Sequence, residues 1–121
     1  MNLYYECGAK PEEIEILSDR SARPVTETTP RLRNIKITNL TAENAQTAAA
    51  VFLGLPESPI ENLLFDNVKI IMAKDCRAAR PAMAFGMGEM KGQGLIADNV
   101  KNFVQRNTFI QSNDGAYSAK L

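Results

Sequence analysis

The side chains that could do chemistry are few, and histidine is missing altogether. Its absence removes the commonest general base, the commonest zinc ligand and every Ser–His or Cys–His nucleophile. Cys7 and Cys76 stand 69 positions apart and form no Cys-x-x-Cys pair, so their spacing suits neither a structural metal nor a disulfide framework. Two idle thiols in a reducing compartment is the plain reading. The carboxylates are more suggestive, because Asp66 and Asp98 each open an Asp-Asn-Val triplet, 32 positions apart. Inverting glycoside hydrolysis needs two carboxyl groups about 6.5–9.5 Å apart with a water between them. Residues stacked on neighbouring strands sit only about 4.8 Å apart, too close to house that water. Bend-capping, solvated carboxylates fit the pair better, so the sequence assigns no catalytic residue, no metal ligand and no cofactor. Glu6, Glu57 and Glu89 read as exposed turn residues at strand ends, and Met83, Met87 and Met90 as gap-filling core or an adaptable contact patch.

The element that must position any site is a repeat. Ala50-Val51-Phe52-Leu53-Gly54-Leu55, a turn, and Asn62-Leu63-Leu64-Phe65-Asp66-Asn67-Val68 are echoed by Ala82 to Met87, a turn, and Gly94 to Val100. The second half also occurs 28 positions earlier, as Asn34-Ile35-Lys36-Ile37-Thr38-Asn39-Leu40. Apolar residues two apart, with Gly or Pro every six to ten positions, are strand patterning and leave little room for helix. Units of 28 to 32 residues that bury their apolar faces by stacking predict an all-β fold, a right-handed parallel β-helix (β-solenoid) of about three coils. Asn39, Asn67 and Asn99 recur at inward bends, where Asn tolerates the left-handed conformation, and are expected to form a coil-to-coil ladder of side-chain hydrogen bonds. A leucine-rich-repeat domain is the rival, but it needs a helix or tighter turn where Ala50 to Leu55 is strand-like.

The chain reads as one domain over 1–121: a first strand over 2–6, a long loop over 7–30, stacked coils over 31–110 and a polar tail over 111–121. A strand or helical turn at Ile14, Ile16 and Leu17 interrupts the loop. Zero net charge and scattered Lys and Arg leave no footprint for nucleic acid. No apolar run reaches the roughly 20 residues that cross a bilayer. The N-terminus lacks the basic and apolar regions of a signal peptide, so the chain as it stands is expected to be cytoplasmic.

In this order, Leu3-Tyr4-Tyr5-Glu6, a variable loop, Pro30 to Ala42, Gly54-Leu55-Pro56-Glu57-Ser58-Pro59-Ile60-Glu61-Asn62 and Asp66 to Ile70 resemble the C-terminal part of glycoside hydrolase family 28, the polygalacturonase group. The resemblance covers residues 2 to 72 well and is weaker beyond. It implies a parallel β-helix, inverting hydrolysis of polygalacturonate-like pectin, and an oligogalacturonide or other polysaccharide as partner. It also implies a cleft-lining tyrosine, matched by Tyr5, with Tyr4 as the alternative register. The family's Asn-Thr-Asp, Asp-Asp, Gly-His-Gly and Arg-Ile-Lys signatures do not occur here. The matching acids are expected upstream of Leu3, and the chain alone is expected to be inactive.

Two other readings come from different classes: a self-associating β-solenoid module for binding or assembly, and a leucine-rich-repeat-like interaction domain. The strand at Leu3 and Tyr5 has no coil before it, and the polar loop is a poor cover. Open strand edges recruit other chains, so the expectation is a homo-oligomer, most simply a two-fold dimer through this uncapped N-terminal coil.

Overall fold

The computed structural model describes residues 1–4, 10–82 and 84–113. The protein is all-β with parallel sheets. Strands β1 (Arg33–Ala45), β3 (Ile60–Met72) and β5 (Val100–Gln111) form one sheet in that spatial order, and β2 (Ala48–Leu53) pairs with β4 (Gln93–Asp98) in a second. The described part of the long loop holds a 3-10 turn at Pro11–Glu13 and one helical turn, α1 (Ile14–Ser18).

The long strands survive because asparagine resets their phase. Asn34, Asn39 and Asn44 in β1, Asn62 and Asn67 in β3, and Asn102 and Asn107 in β5 all have φ between 44° and 60°. Strict alternation from Leu63 and Phe65 would next send position 67 inward. The left-handed Asn67 takes one step out of phase, and Val68 and Ile70 face the core instead. Leu63, Phe65, Val68 and Ile70 are all at most 3% exposed. The same two-plus-two rhythm runs through Ile35, Ile37, Leu40 and Ala42, which pair with those four. Asparagine suits the site because its short side chain tolerates this conformation better than other non-glycine residues do.

The two sheets meet in one core. Phe52, Leu95 and Ala97 from β2 and β4 pack against Ile60, Leu63, Phe65 and Val100. Phe52, Phe65 and Phe103 contact one another through tilted and edge-on rings, with centroids 5.2–6.0 Å apart. The corner between the sheets is tight. Gly54 N–H donates to Asp98 O, Ile60 N–H to Asn99 O, and the Asn99 side chain to Gly54 O at 3.1 Å. A Cβ on Gly54 would lie 2.2 Å from Asn99 O and 2.8 Å from Ile60 N, so only glycine fits.

Several expectations need correction. Asn99 is outside the ladder: it caps Gly54 at the corner, and its apparent partner position is taken by Asn107, which donates to Asn67 at 2.8 Å. Asn67 donates to Asn39 at 2.8 Å, on the exposed side of the strands and not at an inward bend. The 32-residue echo is not the stacking register. Successive levels are 28 positions apart from β1 to β3 and 40 from β3 to β5, while Ala50 pairs with Leu95. Among its described residues, Ala82 to Met87 forms no strand. The reciprocal bonds between Ala79 and Met90 close a loop, in which Ala84 makes a single bridge and Phe85 N–H donates to Tyr4 O at 2.8 Å. Of the strand expected over 2–6, Asn2 makes a single parallel bridge to Leu53, and Tyr5 and Glu6 lie outside the described residues, as does tail 114–121.

Gly54→Ala is expected to destabilise by about 2–3 kcal/mol, since its clash is with backbone that cannot move aside. Asn67→Ala should cost about 1–2 kcal/mol through left-handed strain and lost ladder bonds. Asn67→Gly keeps the conformation and should cost about 1 kcal/mol or less. Asp66→Ala should stay within about 0.5 kcal/mol. Urea melts measure all four, and equal losses for Asn67→Ala and Asp66→Ala would remove the conformational role of the asparagine.

Candidate functional site

A described surface that gathers aromatic, charged and hydroxyl groups lies where the N-terminal residues meet the long loop. Leu3 N–H donates to Leu53 O at 2.9 Å and Leu53 N–H to Met1 O at 3.1 Å, which hooks the first residues onto the free edge of β2. Tyr4 follows, 4% exposed, packed with Leu53 and Ala84. Its carbonyl accepts Phe85 N–H at 2.8 Å. Arg20, from the loop, lays its guanidinium 3.5 Å from the centre of the Tyr4 ring and donates to Phe85 O. A cation over an aromatic face is attractive, more so when water is excluded. The loop thus covers the apolar Tyr4 after all, with a planar cation instead of an apolar side chain.

Arg20 is followed by a second local anchor. Asp19 accepts Ser21 N–H at 2.9 Å and sits 3.6 Å from Arg23. The Ser21 backbone N–H, then its side chain and Arg23, hold the Asp19 carboxyl below the usual carboxylate range. A lowered carboxylate favours the folded loop above its unfolded titration range and loses that contribution as the pH falls into acid. Being fully exposed, the ion pair adds little by itself.

Between this loop and the sheet corner is a cavity of about 510 Å³, lined by Leu3, Tyr4, Leu17, Leu55, Glu57 and the hydroxyls of Ser21, Thr26, Thr28 and Thr29. A smaller cavity of about 240 Å³ lies on the other side of Glu57, beside Arg31, Arg33 and Glu61. Glu57 Oε2 is out of solvent reach and has no hydrogen-bond partner among the described residues. Apolar walls rimmed by hydroxyls can hold a ligand, but the described residues here include no base aimed at a nucleophile. Nor do three or more Cys, Asp or Glu among them come together as metal ligands.

Asp66 and Asp98 are not stacked. Asp66 lies level with Thr38 and Arg106 in the three-stranded sheet, whereas Asp98 pairs with Leu53 in the other. The spacing argument used against them does not apply, because they stand on different sheets. Tyr5, the cleft-lining candidate, Glu6, Cys7 and Met83 lie outside the described residues. Glu89 is exposed, Met87 is half-buried against the Tyr4 cluster, and Met90 is buried at 8%. Cys76 is a buried free thiol that donates to Ala73 O at 3.1 Å. Arg20 escaped the sequence reading, since nothing distinguishes it from the other loop cations. The second ladder, Asn102 to Asn62 at 3.0 Å and Asn62 to Asn34 at 2.9 Å, was missed as well. Its signal was the five-residue spacing of Asn34 and Asn39, Asn62 and Asn67, and Asn102 and Asn107.

Arg20→Ala is expected to raise hydrogen exchange across residues 10–30 and lower stability by about 1 kcal/mol. Arg20→Lys should recover only part, because an ammonium lacks the flat stacking plane. Unchanged protection of the loop in Arg20→Ala would show that other contacts hold it.

Comparison with known protein families, curated proteins and solved structures found no match.

Proposed function

We propose that this chain is a parallel β-helical segment of a polygalacturonase-type glycoside hydrolase, carrying one wall of a polysaccharide cleft and none of the catalytic acids. The observation that supports it most is the 28-residue register of Arg33–Ala45 on Ile60–Met72. The stretch of strongest family resemblance, ending near Met72, thus forms two successive parallel levels. The hooked N-terminal residues, β2 and β4 make a second parallel run beside them, as expected of a coil with more than one strand. In this reading Tyr5 stacks on a sugar ring, the apolar-plus-hydroxyl character of tyrosine suiting a carbohydrate face. The bond-breaking carboxylates belong to sequence upstream.

Self-association is the second reading. It is favoured by the half-uncovered inward side chains of β1 and β5, which contrast with the sealed row on β3.

On polygalacturonate, the chain alone is expected to release no reducing ends above a blank. Turnover would contradict the assignment of the acids to other sequence. If calorimetry detects oligogalacturonide binding, Tyr5→Ala should weaken it, and unchanged affinity would return Tyr5 to a structural role.

A further inference from the structure

The outward face of the three-stranded sheet serves neither the core nor the surface beside Tyr4. Register sets its side chains in levels, one from each strand: Thr41, Lys69 and Phe109 share one level, and Thr38, Asp66 and Arg106 another. The ladder of Asn39, Asn67 and Asn107 runs between the two. β5 carries cations and no acid along its length. Lys69, Arg106 and Asn107 are exposed, and Phe109, at 57%, is the most exposed large apolar side chain among the described residues. All of them point away from the core, so they stay at the surface whichever strand pairs beside β1 or β5.

A lone exposed apolar side chain needs no explanation, but Phe109 has a cation level with it and a row of amides alongside. Asn67 and Asn107 each spend one side-chain N–H on the ladder, and each amide has a second one to give. Lys69 and Arg106 make no ion pair among the described residues. This corner of the sheet therefore offers a flat apolar ring, two cations and spare amide donors. The matching ligand is an anion that also has oxygens to accept N–H groups and a face of C–H groups to lie on the ring. A sugar ring that bears a carboxylate has all three.

We propose that this face binds an acidic polysaccharide. One uronic acid ring lies on Phe109, the carboxylates of that ring and the next are held by Lys69 and Arg106, and hydroxyl oxygens accept the spare N–H groups of Asn67 and Asn107. Two acids oppose it. Asp66 is half-buried and level with Arg106, and Glu43 lies two residues past Thr41 on β1. They divide the positive surface into separate points. A phosphate polymer uses a continuous basic groove, so it fits this face less well than a polymer with hydroxyls between its charges. The proposal is independent of the hydrolase reading, because it needs neither Tyr5 nor a catalytic carboxylate.

The test uses polygalacturonate as the uronate polymer and its fully methyl-esterified form as the uncharged control. Both are titrated into the Tyr5→Ala chain, so that the contact offered in the hydrolase reading plays no part. Calorimetry is expected to show polygalacturonate binding at low salt, with the methyl ester at least about tenfold weaker. Raising the ionic strength from about 0.01 M to about 1 M shortens the screening length from about 30 Å to about 3 Å and should abolish binding. Lys69→Gln combined with Arg106→Gln, and separately Phe109→Ala, should each weaken it about tenfold. Lys69→Arg should retain it. These positions are exposed, where substitutions leave the fold intact. Four results would each overturn the proposal: no binding by the Tyr5→Ala chain, equal binding of the methyl ester, unchanged affinity in the Gln and Ala variants, or tighter binding of single-stranded DNA. Failure of the hydrolase reading is seen separately, as equal affinity of the Tyr5→Ala and unaltered chains.

Discussion

The left-handed asparagine is the constraint on which the rest of this structure depends. A strand of 12 or 13 residues with strict two-residue alternation would drive every second side chain into the core, polar or not. Interrupting it every five residues lets pairs of apolar residues point inward and be followed, one step out of phase, by another pair. A single missed reset would expose the remainder of the strand's apolar set and bury its charges. The amide that makes the conformation tolerable also bonds to its counterpart on the next strand. One side chain therefore sets both the local bend and the register between levels.

Two residues do the equivalent work between the sheets. Gly54 lets the backbone of one level pass within contact of Asn99 on the next, and Asn99 closes the gap with its side chain. The chain can then leave β4 and enter β5 with a single residue between them. This short corner brings the Phe52 and Phe65 rings, from different sheets, into contact. Within the three-stranded sheet only β3, with a strand on either side, has a fully sealed inward row. The core is accordingly deepest in the middle and thins toward both edges of the sheet.

The candidate surface beside Tyr4 follows a different logic. The loop before β1 is polar and long, and it is held through Arg20 on Tyr4 and Phe85 and through Ser58, whose hydroxyl donates to Pro30 O at 2.7 Å. Such a loop can roof a cavity without contributing much to the core. Its hydroxyl-lined space beside Leu3 and Tyr4 suits binding more than bond-breaking, in keeping with a proposed β-helical segment whose acids lie elsewhere. The outward face of the asparagine sheet is a separate property, written into the strands and independent of that loop.

The sequence by itself determined the strand class, the 28-residue spacing of β1 and β3 and the left-handed bends at Asn39 and Asn67. Those follow from alternation, glycine and proline frequency and the tolerance of asparagine, all of which are local. It also carried the corner glycine, as the fifth residue of an apolar run, without showing what that glycine touches. The tertiary structure alone decided which segments stack. Gly94 to Val100 looks like Asn62 to Val68, yet its Leu95 pairs with Ala50 and its Asn99 caps Gly54. The reason is that residues 79–90 loop out through the Ala79–Met90 bridge and change the length of the third level to 40 positions. A similar triplet reveals what a segment can do locally, but pairing depends on the number of residues excluded between levels. The Tyr4 clamp was beyond reach for the same reason: Arg20 and Phe85, 65 positions apart, become neighbours only after the stack is built.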